Sequence, residues 1–254
     1  VEALVASDAS IKGMWCVPRF SNPTGCVYDA TTVERIAQLG TVASANFLVF
    51  WDNAYAVHSL YEDAPELASI RQYCQQHGTL DSVFQLGSTS KVTFAGAGVA
   101  FMASSAANLA ALEQHLAIRT IGPDKVNQLR HLRLLPDLEA LHAHMAKHAS
   151  RIRPRFEAVL DTLERELPGR GMGQWLAPGG GYLISFDTLP GQGQEVVGQA
   201  AEIGVQLTPA GATFPYGKDP QDSNIRLAPT FPGLDDVQAA ADAFVVCVKL
   251  AAVR

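Results

Sequence analysis

The chain has 254 residues, enough to bury a large core in one or two domains. Its formal charge of −6 argues against a broad nucleic-acid surface, although a local pocket can still take a small anion. With 48% apolar and 17% charged residues it reads as a soluble, enzyme-like globule, and no apolar run is long enough to span a bilayer. Cys16, Cys26, Cys74 and Cys247 have neither close pairing nor metal-like spacing. They read as buried free thiols in a reducing, cytoplasmic compartment, with no leader peptide, no metal, no nucleic acid and no membrane expected.

The chain opens with Val1 rather than Met, inside what reads as a helix, so a processed, trimmed or partial chain is expected. Gly13 to Pro18 reads as an apolar strand ending in the turn Ser21-Asn-Pro-Thr-Gly25. Thr31 with Glu34 forms a capping box for a helix to about Ala45. Asn46 to Trp51 is apolar throughout, as strands buried on both faces are, and Asp52 stands at its end. Residues 65 to 77 read as helical. Val83 to Leu86 reads as a third buried strand. Ala95 to Ala103 reads as a strand whose glycines mark a close backbone approach. Strands alternating with helices imply an α/β, mostly parallel sheet. Helices are expected at about 106–118, 123–134 and 137–167. A loop at 168–173, short strands at 182–186, 205–208 and 224–228, and a helix from Leu234 follow. This is a second, α+β domain, with the boundary near residue 140: 1–140 and 141–254. His144 and His148 share a helix face, which reads as polar surface because a third metal ligand is lacking.

The stretch Val83-Phe-Gln-Leu-Gly-Ser-Thr-Ser-Lys91 organises the rest. Gly87 ends the strand, and Lys91 follows just past its end, where ligands of open α/β sheets collect. Alone, Ser88-Thr-Ser90-Lys91 equally describes a polar loop with a solvated lysine. Asn22 equally describes the turn residue that Asn-Pro favours, and Asp52 a strand-end turn.

Asn22 in Asn-Pro-Thr-Gly, Asp52 and Tyr55 in Asp-x-x-Tyr, Ser88-x-Ser90-Lys91, and Arg226 in Asn-Ile-Arg-Leu-Ala-Pro occur in that order. Together they resemble the fold-type I aminotransferases that use pyridoxal 5'-phosphate, over essentially the whole chain. The wording at 120–130 and 228–232 resembles the subgroup Ic aspartate aminotransferases. The resemblance implies the large-domain α/β sheet of that fold, incomplete, followed by a smaller α+β C-terminal domain. It implies that Lys91 joins the cofactor aldehyde and shuttles the substrate proton, for which a buried, desolvated amine is expected. Asp52 would pair with the ring nitrogen, Tyr55 and Asn22 with the ring 3-oxygen, and Ser88 and Ser90 with the phosphate. Arg226 would clamp the substrate carboxylate, with Asn22 beside it. Read from its apolar strand, Arg226 is expected to be buried with an anionic partner.

The activity implied is transfer of the amino group of aspartate to 2-oxoglutarate by a cytoplasmic homodimer. Arg119, Lys125 and Arg130 are candidates for the distal carboxylate. Two features depart from the pattern. Val99 stands where many of these enzymes carry a phosphate-binding arginine. The upstream glycine-rich loop and ring-stacking aromatic are absent from this sequence, so the 254 residues alone are expected to be inactive. Two further readings stay open: an aminotransferase-like effector-binding domain of a transcriptional regulator, and a lyase on the same cofactor.

Overall fold

The computed structural model describes residues 1–253, which divide into two compact units. The first comprises Val1–Arg19, Val27–Val57 and Pro65–Met145. The second comprises Phe20–Cys26, His58–Ala64 and Ala146 to the C-terminal end.

In the first unit, β1 (Gly13–Cys16), β2 (Leu48–Asp52), β3 (Val83–Ser88) and β4 (Ala100–Ala103) form a sheet in that order. The pairs β1·β2 and β2·β3 are parallel, and β4 is antiparallel to β3. Parallel neighbours need crossovers. Helices α2 (Ala30–Val42) and α3 (Ile70–His77) supply them, after the short α1 (Glu2–Ser7). Helix α2 is capped by Asp29, which accepts from the Thr32 N–H at 2.6 Å, rather than by the expected Thr31, which lies inside the first turn. Helix α3 ends on Gly78 in the left-handed region (φ 69°), a conformation glycine adopts without steric cost.

The core of this unit lies on one face of the sheet. Val49 and Trp51 of β2 meet Val33 and Ala37 of α2 and Ile70 and Cys74 of α3. The expectation of strands buried on both faces is not met. Phe50 points the other way, stacked between Trp15 and Phe84 at centroid distances of 5.3 and 6.0 Å, and Trp15 is 61% exposed. In β3 only Val83 is buried, and all four residues of β4 are exposed. The period-2 alternation of a strand places half of these apolar side chains on a face that no described helix covers. Helices α4 (Ala106–Arg119) and α5 (Lys125–Leu134) follow and bury no residue.

The second unit holds most of the long helix α6 (Leu138–Glu166) and an antiparallel sheet of β5 (Gly173–Trp175), β6 (Ile184–Thr188) and β7 (Asn224–Leu227). Helices α7 (Gly193–Glu202) and α8 (Leu234–Ala252) complete it. Phe156 and Leu163 of α6, Val196 of α7, and Phe244 and Val248 of α8 bury against Phe186 and Ile225. The expected strand at 205–208 is irregular chain; the Val205 N–H instead closes α7 by donating to Ala200 at 2.8 Å. Segment 58–60 joins this unit by pairing with the glycine run at 179–181. A Cβ on Gly180 would fall 2.3 Å from the His58 carbonyl oxygen.

Candidate active site

Two groups of expected site residues are placed, one in each unit. In the first unit Asp52 ends β2 and Ser88 ends β3, so both stand at the C-terminal edge of neighbouring parallel strands, where open α/β sheets bind ligands. The Asn53 N–H donates to the Leu86 carbonyl at 2.9 Å and ties the two strand ends together. The Asp52 carboxylate accepts from Trp15 Nε1 at 3.3 Å and keeps other lone pairs open among the described residues. Tyr55, three residues on, is buried, and the Lys91 ammonium nitrogen lies 5.2 Å from its ring centroid.

Ser88 and Ser90 are brought together. Their hydroxyl oxygens are 2.8 Å apart, and the Ser90 N–H donates to Ser88 Oγ at 3.0 Å. The chain then turns back, with the Val92 and Thr93 N–H groups both donating to the Thr89 carbonyl at 2.8 Å. Gly98 packs against this turn. A Cβ there would fall 2.6 Å from Ser90 Oγ and 2.8 Å from Ser90 N, so Gly98 meets the close approach expected of the glycine run, whereas Gly96 does not. Lys91 departs from expectation, for its side chain is exposed rather than buried. It follows the strand end on a turn, and the apolar cover that would desolvate an amine is not supplied by the described residues.

In the second unit Arg226 and Asn22 meet. Arg226 Nη1 donates to Asn22 Oδ1 at 3.2 Å, and Nε donates to Thr208 Oγ1 at 3.3 Å. The arginine is half-buried, not buried, and no carboxylate pairs with it among the described residues. Alternation explains the difference. Ile225 and Leu227 point into the core, so Arg226 and Asn224 take the other face of β7. Arg226 and Thr208 line a cavity of about 170 Å³ whose other walls are mainly apolar. A larger cavity of about 600 Å³, near Asp187 and Asp219, contains none of the expected residues. Trp15 and Thr208 were not legible as partners. Trp15 reads as a core strand residue, and Thr208 lies in the segment that reads as a strand.

All 254 residues match the family described as aspartate amino-transferase. The chain belongs to the aspartate aminotransferase family. It is 44% identical over 252 residues to an aspartate aminotransferase of Corynebacterium glutamicum, covering 99% of this chain and 58% of that protein. The crystal structure of an aspartate transaminase from C. glutamicum superposes with a TM-score of 0.95 at 43% identity, over 99% of this chain and 59% of that one. An α-aminoadipate aminotransferase of Thermus thermophilus, complexed with N-(5'-phosphopyridoxyl)-L-leucine, matches with a TM-score of 0.74 at 23% identity. It covers 94% of this chain and 59% of that one, and it shows the fold alone. The chain thus spans well under two thirds of the length of these relatives and carries part of the aspartate aminotransferase fold.

The first-unit residues of this family member fit pyridoxal phosphate chemically. Ser88 and Ser90 present paired hydroxyls in a cradle that a Cβ on Gly98 would fill. Asp52 offers a carboxylate with open lone pairs, and Lys91 an amine beside Tyr55.

Proposed function

We propose that the protein carrying these residues is a pyridoxal phosphate-dependent aminotransferase that moves the amino group of aspartate to 2-oxoglutarate. The observation that carries this reading is the gathering of Asp52, Tyr55, Ser88, Ser90 and Lys91 at adjoining ends of β2 and β3. Family membership and the aspartate aminotransferase of C. glutamicum support it.

Bound pyridoxal phosphate supplies an aldehyde that joins amines and a ring that accepts electrons from the substrate Cα. Around it, Ser88 and Ser90 hold phosphate oxygens by their hydroxyls, strengthened because the acceptor is charged. Asp52 holds a proton at the ring nitrogen, and Trp15 keeps the carboxylate aimed by donating to Oδ2. Tyr55 Oη donates to the ring oxygen. Lys91 Nζ takes the proton from the substrate Cα as a general base and returns it as a general acid. Arg226, with Nη1 on Asn22, presents a planar fork that suits a carboxylate, and no protein carboxylate competes for it. Arg119, Lys125 and Arg130 are all exposed, so we assign none of them to the distal carboxylate.

The cytoplasmic homodimer implied by the resemblance is carried forward in this proposal. The sheet face that bears Trp15 and Met102, both exposed, is its physical support, because an apolar patch of this kind marks a surface that something covers. The test is a substrate panel with 2-oxoglutarate as acceptor. Aspartate is expected to exceed alanine by at least roughly tenfold in kcat/KM, about 1.4 kcal/mol of differential transition-state binding. Equal rates for the two would remove the dicarboxylate assignment.

A further inference from the structure

Helix α5 turns its apolar residues outward. Val126, Leu129, Leu132 and Leu134 are exposed, and within Lys125–Leu134 only Asn127 and His131 are not. These two stand at i,i+4 and so share a face. On that polar face His131 reaches the turn that bears Lys91, and Asn127 holds the glycine run packed against that turn. Asn127 Nδ2 donates to the carbonyls of Ala97 and Gly98 at 2.8 and 3.3 Å.

His131 Nδ1 lies 2.9 Å from the Asn127 carbonyl oxygen. A carbonyl only accepts, so Nδ1 carries the proton, and Nε2 of the neutral ring is an acceptor. Nε2 lies 2.9 Å from both Thr89 Oγ1 and Thr93 Oγ1. Thr89 Oγ1 already accepts from the Val99 N–H at 2.8 Å, which leaves its own hydrogen to point at Nε2. The Thr93 hydroxyl donates its hydrogen to the Thr89 carbonyl at 3.1 Å, so Thr89 is the donor to Nε2. From α6, His144 Nε2 donates to the Val92 carbonyl at 2.8 Å. The residues flanking Lys91 on both sides are therefore fixed by side chains from two helices.

We propose that His131, aided by Asn127 and His144, is a positioning residue that fixes the turn 88–93 and with it the origin of the Lys91 side chain. The assignment of a purpose to this clasp rests on the reading of Lys91 as the cofactor lysine. The chemistry calls for such a device. Lysine has a long flexible stem, and proton transfer at a substrate carbon tolerates little misplacement of the amine. A turn beyond a strand end is otherwise among the first segments to open. An acceptor at the position of Nε2 is required, and an apolar side chain cannot supply it.

The test compares wild type, His131→Leu and His131→Gln, whose amide oxygen can accept from the Thr89 hydroxyl. Hydrogen exchange of the peptide covering 87–99 is read without cofactor, with the β2 peptide as internal control. Pyridoxal phosphate affinity and borohydride labelling of Lys91 are read separately. His131→Leu is expected to speed exchange in 87–99 by roughly tenfold or more while β2 stays protected, and His131→Gln to recover most of the protection. Cofactor affinity is expected to fall by at least about tenfold in His131→Leu and to return in His131→Gln.

Unchanged exchange in a folded His131→Leu overturns the inference, whatever the cofactor does. Equal damage from Leu and Gln also overturns it, because bulk rather than the acceptor would then matter. If His131→Leu fails to fold, Thr89→Val and His144→Leu carry the same test, and normal exchange in both overturns it. Faster exchange in His131→Leu with no label on wild-type Lys91 upholds the clasp and removes the reading of Lys91 as cofactor lysine.

Discussion

Arg226 Nη1 donates to the amide oxygen of Asn22 across 3.2 Å, joining β7 to a turn 204 residues earlier in the chain. Asn22 offers that guanidinium a neutral oxygen, as Thr208 does. The arginine is thus oriented without being neutralised, which is what a carboxylate-binding fork needs.

Arg226→Lys is expected to lower kcat/KM for amino acid and oxo acid by roughly 100-fold, about 2.7 kcal/mol, because an ammonium cannot make the paired bonds of a planar fork. Asn22→Asp is expected to raise KM, since a carboxylate placed on the fork competes with the substrate. Steady-state kinetics of the two variants decide it; a wild-type KM in both means that Arg226 does not bind substrate.

For the first unit, borohydride reduction in the presence of pyridoxal phosphate is expected to fix the cofactor on the Lys91 peptide. Label on Lys12, Lys125 or Lys147 would reject the assignment. Lys91→Ala is expected to abolish transamination with the fold retained. Asp52→Asn is expected to slow Cα deprotonation by two decades or more, about 2.7 kcal/mol, with little change in substrate binding. A substrate kinetic isotope effect that vanishes in Asp52→Asn would show that proton removal is not the step affected.

Gly98→Ala tests the cradle. The added Cβ meets Ser90 backbone atoms at 2.8 and 2.9 Å, and backbone cannot swing away as a side-chain tip can. Strain of about 1–3 kcal/mol is expected, read as a fall in unfolding free energy together with weaker cofactor binding. Gly96→Ala serves as a contrast. Its Cβ would meet nothing within 4 Å, but its φ of +79° disfavours a side chain, so a milder, purely conformational loss is expected.

Much of this was legible because local chemistry and tertiary role coincide. The strands around Val49 and Val83 and the helices around Ile36 and Leu163 follow from period and caps. Asp52 and Lys91 were visible because they sit just past apolar runs. Lys91 is exposed because it lies on a turn past β3, whereas Arg226, Phe50 and Phe84 depart from the expected burial for one reason. An apolar run does not say whether one or both faces of a strand are covered, and here alternation leaves one face open. The threonines and histidines that brace the turn were invisible, because hydrogen bonds linking Thr89 to His131 and Val92 to His144 leave no trace in periodicity. The meeting of Asn22 with Arg226 came only through the family resemblance.

Asp219 gives a pH prediction. Burial raises its pKa, but hydrogen bonds from the backbone N–H groups of Asn224, Ser223, Gln221 and Asp222 outweigh it, and the net shift is downward from 3.8. A depressed folded pKa stabilises the fold above the unfolded value, and that contribution is lost as pH falls through the folded value. Asp219→Asn is expected to cost on the order of 1 kcal/mol at neutral pH, because it weakens the bonds that lead the chain into β7. The gap from wild type is expected to close as pH falls below about 4. Urea midpoints measured from pH 7 to pH 2 test this, and a gap that widens on acidification contradicts it.

The 254-residue polypeptide by itself is expected to turn over poorly. Lys91 is exposed, so the described residues do not shield the reacting centre from water. On one face of the same sheet Trp15 and Met102 are 61% and 39% exposed, and α4 and α5 bury nothing. Such a surface should also bind an apolar fluorescent dye and promote association through the β4 edge. With added pyridoxal phosphate, aspartate and 2-oxoglutarate, the rate is expected to stay below roughly one hundredth of that of an intact aminotransferase, since losing two decades takes only about 2.7 kcal/mol of barrier. Borohydride labelling of Lys91 in the same sample separates a site that binds without turning over from one that does not bind. Turnover comparable to the intact enzyme would show that an exposed Lys91 suffices and that covering the open face of the sheet is not needed for catalysis.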